Sequence, residues 1–302
     1  MNRPEAAVPL EIPHTETEHG IVSDLMALTK ARLSLLVVVT TLVGACAASG
    51  AQLDWLRIFN AVFGTTLAAF AAAVLNQCIE SHVDRLMERT RQRPLPAGRM
   101  RRGAALTLGI VLGVTGVAWL WFTANAMSAY LAAATILIYI GFYTPLKRKT
   151  SLCTIVGAVS GAIPPVIGWT AIRPSLDPGA WILFGILFTW QMPHFLALAW
   201  KYRDEYAQAG FVMLRRDDTS GCATAMQSLL YTLGLTGITV LPFFMGMNSG
   251  LYLAGALLLD AMMLFCAGQF LLDRSLPNAR RLFLSSLLFL PLLLGLMVFT
   301  RS

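Results

Sequence analysis

Nine apolar runs of about 20 residues divide this chain from end to end. An α-helix of that length crosses the ~30 Å hydrocarbon core of a bilayer. Hydrophobic residues make up 56% of the 302 residues and charged residues only 13%, which excludes an ordinary soluble domain and suggests no nucleic-acid partner. We therefore predict an all-α, polytopic protein of the lipid bilayer. Its nine transmembrane helices are expected at 33–48, 58–79, 104–122, 129–143, 153–171, 179–200, 223–245, 251–272 and 282–300.

The N-terminal segment differs from the rest of the chain. Residues 1–20 carry acids and no apolar core, so they match neither a signal peptide nor a typical transit peptide. We predict a disordered cytoplasmic tail over residues 1–20 and one nine-helix membrane domain over residues 21–302. The five cysteines are scattered without paired spacing, which is typical of packing residues and not of a disulfide framework or a zinc site.

Lysine and arginine are distributed very unevenly between the two sides of the predicted bundle. With the N-terminus inside, 20 of these residues fall on the cytoplasmic side and only Arg57, Arg173 and Arg301 fall outside. Short cytoplasmic loops are enriched in Lys and Arg, so this bias predicts a cytoplasmic N-terminus and an external C-terminus. The two longest connections, about residues 80–103 and 201–222, then both lie on the cytoplasmic side.

A first group of polar residues follows the second apolar run. Asn76, Glu80 and Asp84 recur at a spacing of four, and in a continuous helix each is rotated only ~40° from the last. Their oxygens therefore share one helix face. Mg²⁺ prefers a few carboxylate oxygens and leaves its other positions to water and substrate phosphates. The pattern predicts a magnesium site with these three ligands, although charge pairs on a solvated helix end would give the same spacing.

Basic residues surround this predicted metal site. Arg89 and Arg93 follow the acids, and Lys147 and Arg148 lie in another loop of the same side. Arginine binds phosphate through a planar fork of donors, so these four residues are candidate diphosphate ligands. The rule that places positive residues in cytoplasmic loops explains the same lysines and arginines without any ligand.

Two further features concern the sixth and fifth predicted helices. Asp204 and Glu205 follow the sixth helix and could form a second metal half-site, and the pattern does not say which of them is the ligand. His194 precedes them by ten residues, about 15 Å deeper if the helix continues. An intramembrane histidine is a candidate site residue, although a structural hydrogen bond would also explain it.

Pro164 and Pro165 of the fifth helix predict either a break in that helix or, with nearby glycines, close packing against a neighbouring helix.

Several of these stretches occur in the same order in a known family. The chain resembles the UbiA-type membrane prenyltransferases, and among them the protoheme IX farnesyltransferase (heme O synthase) family. The matching motifs are LTKARLSLL at 28–36, NQCIESHVDRLMERTRQRPL at 76–95, YTPLKRKT at 143–150, GAVSGAIPPVIGW at 157–169, WQMPHFLALAWKYRDEYAQAGFVML at 190–214 and ARRLFLSSLLFLPLLL at 279–294. The resemblance covers nearly the whole chain after the tail.

The resemblance implies a nine-helix fold, a Mg²⁺ cofactor, and a location of the protein in a bacterial inner membrane. It also implies the reaction, which transfers a farnesyl group from farnesyl diphosphate to a vinyl group of heme b, with water completing the side chain of heme O. Heme A synthase or terminal-oxidase assembly factors would be possible partners. His194 could orient the heme, ligate its iron or relay a proton, and Tyr143, Trp190 and Phe195 are candidates to stabilise an allylic cation.

This sequence departs from the family pattern at the acids. Glu80 stands where many relatives have Asp, and the second cluster lacks the DxxxD spacing of the wider superfamily.

Alternative functions for such a chain are prenylation of an aromatic quinone precursor or prenylation of a chlorophyllide. A cation-coupled transporter would also contain membrane acids, but its site would be expected near the midplane and not at one mouth.

Overall fold

The computed structural model describes residues 20–49 and 52–301, and in this part of the chain the fold is α-helical with one isolated β-bridge. The predicted tail lies outside the described residues except for Gly20. In chain order the helices are α1 (Ile21–Leu28), α2 (Ala31–Ala48), α3 (Trp55–Asp84), α4 (Arg102–Thr123), α5 (Ala126–Leu137), α6 (Thr144–Leu146), α7 (Cys153–Ile172), α8 (Pro178–Lys201), α9 (Arg203–Gln208), α10 (Cys222–Thr239), α11 (Leu241–Phe244), α12 (Gly250–Leu272) and α13 (Leu276–Phe299).

Nine helical segments of the described chain are long and apolar enough to cross a membrane, which confirms the predicted number. The span that contains α5 continues through a π-helical turn, Ile138–Tyr143, into α6. Similarly, α10 and α11 form one span. Helix α3 is the longest because it extends past its apolar run and carries the acidic residues on the same continuous helix.

Helices α7 and α8 form the centre of the bundle. Helix α7 packs against α2, α5 and α8, and α8 also contacts α10 and α13. Most of their residues are buried, whereas α4, α5, α10 and α12 expose much of their surface in the protein alone. Side chains of the two central helices are therefore the most firmly held by packing, and these helices can position a site.

Helix α7 is continuous through Pro164 and Pro165, so the predicted break does not occur. Neighbouring helices enclose both prolines, and a protein-covered backbone tolerates the lost helical hydrogen bonds. The alternative of close packing through glycine is what the structure shows. A Cβ at Gly168 would overlap the Thr41 carbonyl oxygen of α2, and a Cβ at Gly44 would overlap the Pro165 carbonyl oxygen of α7.

Asp260 lies in the middle of α12 and faces α10 across the helix interface, away from the cavity described below. It is 1% exposed, and its Oδ2 is 2.7 Å from the hydroxyl of Thr239. The same hydroxyl is 3.0 Å from the carbonyl oxygen of Thr236. One hydroxyl proton cannot serve both acceptors, so a donor at position 260 would complete the hydrogen-bonded chain.

We expect Asp260→Asn to leave turnover within about twofold of wild type and to change the unfolding free energy by less than about 1 kcal/mol. The asparagine amide can donate to Thr239, which then donates to Thr236. Thermal denaturation in detergent, together with a transfer assay, measures both quantities. A sharp loss of turnover in a stable, well-inserted Asp260→Asn protein would contradict this helix-packing role.

Candidate active site

A cavity of about 400 Å³ lies between α2, α3, α5, α7 and α8. Charged side chains line one end, at the junctions of the helices with their loops. The rest of the wall is largely apolar and includes alanines of α3 and the aromatic residues Trp190 and Phe195 of α8. The charged lining of the cavity consists of four cations and two carboxylates: Lys30, Arg89, Arg93, Lys147, Glu80 and Asp84.

Each predicted metal ligand of α3 is paired with a cation from another segment. The Lys30 ammonium donates to the amide oxygen of Asn76 at 2.8 Å. The Lys147 ammonium lies 2.9 Å from Glu80 Oε1. The Arg93 guanidinium lies 2.8 Å from Asp84 Oδ2.

Lys30 reaches Asn76 because it occupies the corner between α1 and α2. Its φ of 50° and ψ of 47° are left-handed, and it is the only non-glycine residue with positive φ in the described segments. Such a conformation costs about 1–2 kcal/mol and persists where the surroundings hold it. The Asn76 NH₂ group donates to the Thr144 hydroxyl at 3.1 Å, so its oxygen is the atom that faces the cation.

The two carboxylates are held by cations from separate loops. Lys147 follows α6 and lies over the Tyr143 ring, 4.5 Å from its centroid, while its ammonium contacts both Glu80 oxygens. Arg93 follows α3 and donates to Asp84 Oδ2 at 2.8 Å, with only 2% of the Asp84 side chain exposed. Removing one partner of so buried a pair would leave an uncompensated charge.

Burial and neighbouring charges shift the pKa values of the two lysines in opposite directions. Burial lowers the pKa of Lys30 below its ordinary value; Tyr139 and Glu80 act to raise it, while the positive charges of Arg93 and Lys147 add to the lowering. Burial also acts to lower the pKa of Lys147, but Tyr143 and Glu80 outweigh it and raise that pKa above its ordinary value. Lys147 is therefore the firmer positive charge of the two.

The remaining predicted ligands lie outside this cluster. The Asp204 side chain is 85% exposed and faces Arg203, and Arg148 is exposed and does not line the cavity. Glu205 Oε1 is 3.4 Å from the backbone nitrogen of Arg89, at the rim. Arg89 itself lines the cavity and donates to the Tyr206 hydroxyl.

The donor atoms of α3 suit a hard divalent cation. Two carboxylates and an oriented amide oxygen share one helix face, and each already faces a positive group. Among the described residues, no group of three or more His, Cys, Asp or Glu side chains is placed to hold a metal ion, so substrate oxygens and water would have to complete any metal site here. Mg²⁺ characteristically takes one or two carboxylates and completes its shell with water and phosphate oxygens, so the residues present fit that ion.

His194 lies deeper in the cavity wall, on α8. Because α8 ends at Lys201, the histidine is about 10 Å from the end of its helix and not 15 Å as predicted for a longer helix. Its Nδ1 is 2.8 Å from the Ser286 hydroxyl of α13, and its ring stacks on Trp190 at 5.2 Å. Tyr143, Trp190 and Phe195 also line the cavity.

Several residues in or behind the cavity wall were not predicted from the sequence. Lys30 is not among the predicted ligands, although it lies in the motif LTKARLSLL at 28–36. Tyr139 carries no such signal, since it is a single polar residue in an apolar run. Gln191 and Ser286 lie in the motifs quoted at 190–214 and 279–294, but nothing in their spacing distinguishes them from packing residues. The structure places Tyr139 and Gln191 on the cavity wall and Ser286 behind His194.

Comparison with known proteins gives concordant results for sequence and fold. A model of the UbiA prenyltransferase family matches residues 37–293. A protoheme IX farnesyltransferase of Solibacter usitatus is 40% identical over 287 residues, which cover 92% of this chain and 98% of that protein.

Solved structures agree in fold at low sequence identity. A digeranylgeranylglyceryl phosphate synthase superposes with a TM-score of 0.79 at 14% identity, over 92% of this chain and 98% of the other. A UbiA homolog from Archaeoglobus fulgidus bound to DMAPP and Mg²⁺ superposes with a TM-score of 0.66 at 12% identity, over 91% and 99%. With the family model matching most of its length, this chain belongs to the UbiA prenyltransferase family.

Proposed function

We propose that this protein transfers the farnesyl group of farnesyl diphosphate to a vinyl group of heme b and so forms heme O. The observation that carries the transfer reaction is the cavity, which joins a net positive mouth to an apolar interior. A prenyl diphosphate has the same division, with a highly charged head and an apolar chain. The choice of farnesyl and heme follows relatives such as the 40% identical protoheme IX farnesyltransferase.

Three of the four mouth cations, Lys147, Arg93 and Arg89, would bind the diphosphate. Lys147 and Arg93 each contact a carboxylate and also line the cavity, so both can reach phosphate oxygens with little movement of the backbone. Arg89 is held by Tyr206 at the rim, where its guanidinium can form a bidentate contact. Arg148 is exposed, and we assign it at most to the approach of the anion from solution.

Asn76, Glu80 and Asp84 would hold Mg²⁺ between the helix and the diphosphate. The homolog from Archaeoglobus fulgidus is bound to DMAPP and Mg²⁺, which supports the same ion in this fold. When bound, the ion would stabilise the negative charge of the departing diphosphate. Glu205 lies at the rim beside Arg89 and could contribute after a small loop movement, whereas Asp204 points away.

The chain's own residues account for the rest of the transfer. Mouth cations lie where negative charge develops as the allylic C–O bond breaks, and such preorganised groups are commonly the largest single contribution to catalysis. Aromatic faces of Tyr143, Trp190 and Phe195 line the wall and can stabilise the positive allylic carbon. The apolar wall below the mouth accommodates the isoprene units and excludes bulk water from the cation.

We further propose that the mouth opens to the cytoplasm and that the protein lies in a bacterial inner membrane. The bias of Lys and Arg toward one side supports this orientation. It places the charged ends of α3 and α8 where water-soluble Mg²⁺ and diphosphate can exchange.

The purified protein, given farnesyl diphosphate, heme b and Mg²⁺, should form heme O. Mass spectrometry of the extracted heme detects the product, and parallel reactions offer 4-hydroxybenzoate as acceptor and geranylgeranyl diphosphate as donor. Chelation of Mg²⁺ should abolish product, and its readdition should restore it. A prenylated 4-hydroxybenzoate with heme left unmodified would replace the acceptor in this proposal.

A further inference from the structure

The hydrogen bonds around His194 fix which of its ring nitrogens carries a proton. Ser286 has one hydroxyl proton, and its oxygen lies 2.6 Å from the Phe283 carbonyl oxygen, which can only accept. The hydroxyl proton therefore goes to Phe283. The 2.8 Å contact between Ser286 and His194 Nδ1 then requires Nδ1–H as the donor. In neutral histidine this leaves the lone pair on Nε2.

That Nε2 lone pair has no hydrogen-bond partner among the described residues, and His194 lines the cavity. The ring is clamped on its faces and edge by Trp190, Phe195 and Phe283, with ring centroids 4.8–5.7 Å away. Ser286 is fully buried and its backbone carbonyl accepts from the Trp190 indole at 2.8 Å. The imidazole is thus held by α13 in one orientation with a free acceptor.

A second free acceptor lies one helical turn earlier on α8. The Gln191 NH₂ group faces two carbonyl oxygens, of Leu187 at 2.9 Å and Ala158 at 3.4 Å, so the amide oxygen must be the atom on the other side. This oxygen lies against Gly161, where no side chain intervenes, and no described residue donates to it. Gln191 is 5% exposed and lines the cavity.

We propose that His194 Nε2 is the base that takes the proton of the water added to the heme side chain, that Gln191 Oε1 helps to hold this water, and that Ser286 is a positioning residue for His194. Two acceptors separated by one helical turn suit a water molecule, which has two protons to donate. The inference rests on the proposed function, because only that reaction calls for water after prenyl transfer.

The step balances as follows. The terminal vinyl carbon bonds to C1 of the farnesyl group while the C1–O bond breaks and diphosphate leaves with the electron pair. This leaves a cation on the carbon next to the porphyrin. The water oxygen bonds to that carbon, and one water proton passes to His194 Nε2 and later to the bulk. Without a base beside the water, the cation instead loses a proton from its neighbouring carbon to the released diphosphate and gives an alkene, which is lighter than heme O by one water.

The test is the ratio of the hydroxylated to the alkene product, measured by mass spectrometry of the heme, together with diphosphate release. For His194→Ala we expect the ratio to fall by about 100-fold, the lower range for loss of a general base. Diphosphate release should fall much less, and added imidazole should restore part of the hydroxylated product. For Ser286→Ala we expect a fall of about 10-fold, because the imidazole loses the acceptor that fixes its protonated nitrogen.

Ser285→Ala is the matched control. Ser285 adjoins Ser286 on α13, but its hydroxyl contacts the Leu282 carbonyl and the Met263 sulfur, not the histidine. It should leave the product ratio unchanged. Equal ratios in Ser286→Ala, His194→Ala and wild type would overturn the proposal. So would an altered iron spectrum of bound heme in His194→Ala with equal loss of both products, since that pattern identifies an iron ligand. Failure of the wild-type protein to prenylate heme would instead refute the proposed function.

Discussion

Asp84→Asn should lower the rate of diphosphate release at least about 100-fold while the protein still folds. Loss of one preorganised electrostatic group in an active site commonly costs a factor of this size. Asparagine keeps the shape of Asp84 and can still accept from Arg93, and the Arg93 side chain is 25% exposed, so water can hydrate the charge left behind and the loop after α3 stays in place. What it removes is the negative charge that a metal ligand at this position needs.

Release of diphosphate at saturating Mg²⁺ is the measurement. Glu88→Gln is a suitable control, because Glu88 lies four residues further along, is 86% exposed and pairs only with Arg91. It should behave like wild type. If Asp84→Asn retained more than a tenth of wild-type activity with Mg²⁺ at saturation, Asp84 would not be a metal ligand.

Gly168→Ala should destabilise the bundle by at least about 3 kcal/mol, at the upper end of what overpacking usually costs. The added Cβ would overlap the Thr41 carbonyl oxygen and approach the Ala45 backbone nitrogen at 2.9 Å. Both atoms belong to the backbone of α2 and cannot move aside like the end of a side chain. Helices α2 and α7 would have to separate along the wall of the cavity.

Gly295→Ala provides the comparison, since a Cβ there meets nothing within 4 Å. Alanine is the better helix former by about 1 kcal/mol, so this control should be as stable as wild type or more so. Tryptophan fluorescence during thermal unfolding in detergent measures both variants. A Gly168→Ala protein that unfolds together with Gly295→Ala would show that α2 and α7 do not need this close approach.

The membrane architecture could be predicted well because lipid leaves a chain few choices. A spanning segment must satisfy its backbone internally, so each apolar run of sufficient length becomes a helix. The errors lie at the ends. Helix α2 begins at Ala31 and not at 33, and α3 runs from Trp55 to Asp84 and not from 58 to 79, because polar residues continue a helix once it leaves the apolar layer.

Only the part of the site that lies on a single helix could be predicted from the sequence. A spacing of four placed Asn76, Glu80 and Asp84 on a common face, and the structure has them on one helix with their partners on one side. Which cations they meet could not be predicted, since Lys30 and Lys147 come from 46 and 67 residues away. The enrichment of positive residues in cytoplasmic loops explains every lysine equally well, so it does not identify the lysines that line the cavity.

Asp204 and Glu205, the second acidic cluster, lie outside the cavity lining for a local reason. Helix α8 stops at Lys201, and the chain turns at Tyr202 before α9 begins. In a continuous helix Glu205 would lie within ~20° of the His194 face and Asp204 ~80° away from it. The turn instead leaves Glu205 at the rim and the Asp204 side chain 85% exposed. The segment KYRDEY at 201–206 gives no sequence signal for the turn, because it contains neither glycine nor proline.

The π-helical turn at Ile138–Tyr143 takes up one extra residue within its span. A π turn contains about one residue more than an α turn, so removing one residue here would let an unbroken α-helix form with the same orientation after it. Removing one residue from an α-helical part of the same span would instead rotate everything after it by ~100° relative to α3. The span would still be apolar and long enough for the bilayer, yet Lys147 would no longer face Glu80. A change of length outside the π turn would therefore alter the anion site without altering the topology, whereas the π turn itself can lose a residue without this effect.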